Sequence, residues 1–165
     1  MSKPLIPRIG QGVDAHRIDP DKPCWIACTE FPGVPGCEGH SDGDVVAHAL
    51  TDALLTAAGL GDLGSFIGTE RPEYRGASGA RILTEAVNFL HEHGYAIGNA
   101  SAQLVATTPR FGAHRAAAEE TMGKILGAPV SLSATTTDGL GFTGTGEGRA
   151  AIATALVYAI IENHE

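Results

Sequence analysis

The stretch His40-Ser41-Asp42-Gly43-Asp44, continuing through positions 45–58 to Leu60-Gly61-Asp62-Leu63-Gly64, decides how this chain folds. Positions 45–58 hold Ala, Leu and Val with no Gly or Pro, which predicts a helix of three to four turns. Ser41 or Asp42 is suited to cap it, leaving free backbone N–H groups and the positive end of the helix dipole beside His40 as a place for an anion. Asp44, His48 and Asp52 follow at i, i+4 and i+8 and share one face, while Leu50, Leu54, Leu55 and Ala57 cover the others. Standing alone, a histidine between two aspartates on a helix is usually a surface or capping residue.

It does not stand alone. Upstream, Gly12-Val13-Asp14-Ala15-His16 places a carboxylate and an imidazole two residues apart, and on an extended strand both project to the same side. With His48 from the helix they form a three-ligand set suited to zinc, with a fourth tetrahedral position open for water or substrate.

The 165 residues are 43% hydrophobic and 18% charged, which implies one globular domain over 1–165 with flexible ends at 1–7 and 162–165. A net charge of −8 and the lack of a Lys/Arg run exclude a nucleic-acid surface. An anionic substrate must then be met by metal ions or backbone donors. Cys24, Cys28 and Cys37 are odd in number and read as reduced thiols of a cytoplasmic protein. No apolar run is long enough to span a membrane, and the N-terminus lacks a secretory h-region.

Along the chain, 8–18 reads as a strand whose Gly10 and Gly12 permit close backbone approach, and 24–28 as a second strand in a hairpin ending before Pro32-Gly33. Positions 65–77 read as a long loop beside the site, a candidate lid. Ser78 caps a helix with apolar residues Ile82, Leu83, Ala86, Val87 and Leu90, stopped by Gly94. A strand over 97–107, a helix over 113–126 and a strand over 130–136 follow. The glycine-rich run 135–148 opens with Thr135, Thr136 and Thr137, whose hydroxyls and amides suit phosphate oxygens, and Asp138 suits a hard divalent cation. Positions 149–161 fit either a helix, from their alanines, or a buried strand, from their β-branched residues. Interleaved strands and helices without a Rossmann fingerprint give an α/β class, a sandwich with helices on one face of a sheet.

Three motifs together, Gly12-Val13-Asp14-Ala15-His16, Gly39-His40-Ser41-Asp42-Gly43-Asp44 with His48, and Ala134-Thr135-Thr136-Thr137-Asp138 continuing to Gly148, resemble the 2-C-methyl-D-erythritol 2,4-cyclodiphosphate synthase family over positions 8–160. The resemblance implies a ferredoxin-like fold with a mixed sheet, a homotrimer with sites between subunits, and the last segment as a strand. It also implies a bound zinc ion and a second divalent cation, magnesium or manganese. The implied reaction is intramolecular: the 2-phosphate of 4-diphosphocytidyl-2-C-methyl-D-erythritol 2-phosphate attacks the β-phosphorus, closing a cyclic diphosphate and releasing CMP. Carried over to this chain, Asp14, His16 and His48 hold zinc, Asp138 the second cation, and His40 and Thr136 stabilise the transition state. Ser41, Asp62, Leu63 and Gly64 meet the methylerythritol part. The cytidine lies against Ala106, Pro109, Arg110, Phe111 and Gly112 and against Ala134, Thr135 and Thr136, from the adjacent subunit, and Thr137 is a further substrate-binding position. Phe142 and Thr145 belong to the same set of ligand-facing positions.

Departures from the family pattern are specific. Asp138 stands where many members have Glu, which shortens the reach to a cation by one methylene, and Arg110 stands where Lys is common. The stretch Ile67-Gly68-Thr69-Glu70 is a residue shorter than the family's, so no substrate-binding Asp carries over to Gly68. Thr145 replaces an Arg that faces a cavity on the trimer axis beside Glu147, where an isoprenoid diphosphate binds. Two other readings remain at this point: a zinc-dependent phosphohydrolase of a nucleotide diphosphate, and a non-enzymatic trimer that binds isoprenoid diphosphates.

Overall fold

The computed structural model describes residues 6–161, so the expected flexible ends lie almost wholly outside the described residues. A 14-residue helix, α1 (Val45–Ala58), fills the centre of the molecule, as its composition predicts. Around it run β1 (Arg8–Ile26), β2 (Thr29–Cys37), α2 (Leu63–Ile67), α3 (Gly79–Glu92), β3 (Tyr95–Val105), α4 (Arg115–Leu126), β4 (Val130–Thr135), α5 (Gly141–Gly144) and β5 (Gly148–Ala159). The strands form one mixed sheet in the order β2-β1-β5-β3-β4, with β3 and β4 parallel and the other neighbours antiparallel. The α/β class is therefore as the sequence implies, and positions 149–161 resolve as a strand ending at Ala159.

Period-two alternation sorts the sheet into two faces. Gly10, Gly12, Ala100, Ala102, Leu104, Ala151, Ala153, Ala155 and Val157 are buried beneath the helices. Ile9, Val13 and Ile152 lie exposed on the opposite face, with Gln11, Ser101 and Gln103. Small residues on the covered face let α1 come close. A Cβ at Gly10 would collide with the Ala53 carbonyl, and one at Gly12 with the Ala49 carbonyl. Leu50, Leu54 and Leu55 are fully buried, each contributing about 1.5–3 kcal/mol of burial.

Several boundaries differ from the sequence reading. The first strand does not stop near Ile18 but continues to Ile26, and the hairpin turns at Ala27-Cys28, not before Pro32-Gly33. Both turn residues have positive φ, a conformation whose usual Asn and Gly signals are missing here. Asp44 makes this turn possible: its carboxylate accepts from the Ala27 and Cys28 N–H groups at 2.9 and 2.7 Å. The same carboxylate caps α1, accepting from Val46 and Ala47, so neither Ser41 nor Asp42 is the cap. The anion place expected at that helix end is thus taken by a carboxylate of the chain itself. Burial pushes the Asp44 carboxyl up, with the Asp42 charge acting the same way and the backbone N–H donors opposing both.

Nor is 65–77 a featureless loop. Asp62 caps α2 in a reciprocal pair with Ser65, and Ile67, Tyr74, Ala77 and Ile82 form a small core of their own. Helix α4 begins at Arg115, preceded by a 3-10 turn at Gly112–His114, and the glycine-rich run contains the short α5. Cys24, Cys28 and Cys37 are free thiols, as expected, and burial pushes Cys24 up to about 11. No helix among the described residues is long and apolar enough to cross a membrane.

Candidate metal centre and nucleotide pocket

Asp14 and His16 project from the covered face of β1, and His48 from α1 meets them there. The contact of Gly12 with the Ala49 backbone sets this meeting, because Asp14 follows Gly12 by two residues and His48 directly precedes Ala49. One ligand atom from each of the three lies within 4.8 Å of the others. His16 Nε2 and His48 Nδ1 stand 2.8 and 3.2 Å from the same Asp14 oxygen. The other ring nitrogen of His48, Nε2, is 2.9 Å from Ser41 Oγ and 3.8 Å from Asp42 Oδ1, which fixes the ring's orientation from behind. One carboxylate and two imidazoles converging on one point are the donor set of a divalent cation such as zinc, with open positions left toward solvent.

Electrostatics fit the same purpose. Burial alone would raise the Asp14 carboxyl, but hydrogen bonds from His16 and His48 and the charges of both rings bring it down to about 2. Burial disfavours the charged form of His48, which is 2% exposed, yet the hydrogen bond and charge of Asp14, with the charges of Asp44 and Asp42, raise its pKa above the ordinary imidazole value. Two acids proposed as one face with His48 serve elsewhere. Asp44 is the cap described above, and Asp52 accepts from the Leu63 N–H at 3.0 Å. Asp42, which the sequence reading left as a cap, instead accepts from Gly79 N–H at 2.6 Å and anchors the start of α3.

Eight of the expected cytidine-contacting positions, with Thr136 among them, fall into a second cavity of 460 Å³. It is lined by Ala106, Pro109, Arg110, Phe111, Gly112, Ala134, Thr135 and Thr136, with Leu104, Thr107 and Arg115. Two segments far apart in sequence are joined here by the parallel pairing of β3 with β4. His40 is half-buried, its Nε2 3.3 Å from the Arg71 carbonyl, and its own carbonyl accepts from Gly76 N–H. Asp62 is exposed at the start of α2, and Gly64 lines a separate cavity with Ser65, Gly68 and Arg71. Thr137 turns inward to Thr143 and the Leu140 carbonyl, while Asp138 is exposed with φ of 53°. Phe142 lines a cavity that includes His16, Arg17 and Glu147. Thr145 donates to the Gly141 carbonyl, and Glu147 is paired with Arg17 at 3.0 Å. The cavity containing His16 and the one containing Thr136 share no residue within the chain.

A family model for the YgbB family matches residues 7–158. The chain belongs to the YgbB family. A relative from Acidothermus cellulolyticus, named 2-C-methyl-D-erythritol 2,4-cyclodiphosphate synthase, is 54% identical over 158 residues, covering 96% of this chain and 98% of its own. One of the same name from Cutibacterium acnes is 50% identical over 151 residues, covering 91% and 90%. A solved structure described as 2C-methyl-D-erythritol-2,4-cyclodiphosphate synthase in a CDP-bound form superposes with a TM-score of 0.82 at 34% identity, over 91% of this chain and 99% of that one.

One residue escaped the sequence reading altogether. Arg149, at the start of β5, is 2% exposed and donates to the Thr108 and Pro35 carbonyls and to Cys37 Sγ. Its signal was present in the alternation, which puts position 149 in phase with the buried Ala151, Ala153 and Ala155.

Proposed function

We infer that this YgbB-family protein is a 2-C-methyl-D-erythritol 2,4-cyclodiphosphate synthase, a lyase that releases CMP from its cytidine diphosphate substrate in non-mevalonate isoprenoid biosynthesis. The observation that carries this reading is the convergence of Asp14, His16 and His48 within 4.8 Å, in a chain half identical to proteins of that name over nearly its full length. The cavity of 460 Å³ is the place for the cytidine, a reading favoured by the CDP-bound relative.

Asp14, His16 and His48 would hold a divalent cation, zinc in this reading, and Asp138 a second, magnesium or manganese; bound there, such ions would supply Lewis-acid compensation of the diphosphate charge. The chain's own residues bind and orient. The nucleophile is already a phosphate anion, so no residue is needed as a general base, and positioning with charge compensation carries the rate. His40 and the Thr136 hydroxyl and amide face the charge that develops on the transferring phosphoryl group. Ser41 holds the His48 ring at Nε2, and Asp62 retains an exposed oxygen for the hydroxyls of the methylerythritol part. In this reading the triad of one chain is completed by the cytidine cavity of its neighbour, an arrangement supported by the lack of any shared lining residue between the two cavities of one chain. The exposed apolar row Ile9, Val13 and Ile152 on the uncovered sheet face is the surface for that assembly, a homotrimer with a ferredoxin-like arrangement in each subunit. Thr145 leaves the trimer axis without an arginine, and Arg17 offsets Glu147 there.

The test is incubation of the protein with 4-diphosphocytidyl-2-C-methyl-D-erythritol 2-phosphate, zinc and magnesium. CMP and a cyclic diphosphate in equal amounts are expected, from a trimer in sedimentation. Opened, hydrolysed products would establish a phosphohydrolase instead, and no turnover would leave a binding protein.

A further inference from the structure

We propose that Arg149 is a positioning residue for the nucleotide pocket, its buried guanidinium setting the Thr107-to-Phe111 rim against the end of β2 that leads into the His40 loop. This rests on the reading of that pocket as the cytidine site. The guanidinium donates through Nε to the Thr108 carbonyl at 2.7 Å and through Nη1 to the Pro35 carbonyl at 2.8 Å, and Nη1 lies 3.4 Å from Cys37 Sγ. Nη2 is buried with no partner. None of these partners is a carboxylate. Burying an arginine without its counter-charge is costly, and an apolar side chain would fill the same space with no such penalty. What the arginine offers instead is a rigid fork that reaches two carbonyls more than 70 positions apart in the chain.

Its place in the sheet makes those bonds consequential. In the ladder His16 is opposite Arg149 on β1, and the last β3 pair, Val105 with Ala150, lies one step before Ala106 of the pocket. Arg149 thus sits in a row between a metal ligand and the pocket floor. Thr107 Oγ1 donates to the Thr143 carbonyl at 2.7 Å and holds the same rim from its other side. With one tie gone, the rim carrying Pro109, Arg110 and Phe111 can shift away from Thr135 and Thr136 across the cavity, while Asp14, His16 and His48 keep their own contacts.

The experiment compares the metal-loaded full chain with Arg149→Met, which keeps the volume, and Arg149→Lys, which keeps the charge and one donor reach. Calorimetric titration with CMP, steady-state kinetics, bound metal and amide exchange over positions 107–112 are read on each. Arg149→Met should weaken CMP binding and raise KM by ~10-fold or more, with kcat changed less than about threefold, metal content unchanged and exchange over 107–112 accelerated. The lysine variant should fall between, and it carries the test if the methionine variant does not fold. Unchanged CMP affinity and exchange, with only a lower melting temperature, would overturn the proposal and leave Arg149 a core residue. If the unmodified protein itself does not bind CMP, the cytidine reading of the pocket fails, and the exchange data alone then show whether Arg149 holds the rim.

Discussion

At the metal corner Asp14 and His48 meet because β1 and α1 touch backbone to backbone at Gly12 and Ala49, whereas the nucleotide pocket is assembled from strand ends and loops tied by side-chain hydrogen bonds. The corner is half-buried and charged, with His48 fixed by a helix with twelve buried residues. The pocket is open, with Thr107, Arg110, Gly112, Thr135 and Thr136 exposed. A cation needs donors placed to within a few tenths of an ångström, which rigid elements provide. A nucleotide rim must open to load and release, which loops permit.

Removing the close approach should break this contrast most severely. A methyl group at Gly12 would run into the Ala49 carbonyl and Ala53 amide, both backbone, so α1 must withdraw. Gly12→Ala is expected to cost on the order of 3 kcal/mol or more in stability and to abolish metal binding, as read by thermal unfolding and metal analysis. A protein of normal stability with full metal would show that the corner is not set by backbone contact.

Single ligand and donor changes should separate the two regions without unfolding either. His48→Ala should lower metal affinity by more than the ~10–100-fold that a lost outer partner costs, and activity with it. Thr136→Ala should keep the metal but reduce turnover by roughly 100-fold, as loss of a transition-state donor does. Metal loss in Thr136→Ala would merge what the structure separates.

The mildest test is pH. In the metal-free fold His48 has a raised pKa, so its pair with Asp14 is at full strength below the unfolded imidazole value of about 6.5 and is lost as pH rises through the folded value. Asp14, at about 2, contributes stability above the unfolded carboxyl value that is lost only as pH falls toward 2. Metal binding runs the other way, because His48 must lose its proton, so affinity should fall by up to about tenfold per unit below the raised value. Cytidine binding, tested with the nucleoside, should stay flat between pH 6 and 8, since neither a histidine nor a carboxylate lines that cavity. Parallel titration curves for metal and cytidine would mean that the two regions are coupled through a shared group.

Much of this was legible in one dimension. The central helix follows from an unbroken run of Ala, Leu and Val. The triad follows from the two-residue period of a strand combined with one histidine on that helix, because local periodicity fixes which side chains share a face. The pocket's residues, and their meeting around one cytidine, could be named only by family resemblance, since what joins the two segments is the pairing of β3 with β4. Asp44 shows where sequence fails. A carboxylate beside a histidine suggests chemistry, and only the packed hairpin reveals that its four N–H donors make it a structural clasp. Arg149 fails for the same reason in reverse, as a charged residue near a glycine-rich loop whose carbonyl partners lie 41 and 114 positions away. Sequence determined the helix, the alternation and the ligand types, which are properties of neighbours along the chain. Tertiary structure decided which polar group serves as ligand, cap or clasp, because a buried donor or acceptor takes whatever partner the fold brings within about 3 Å.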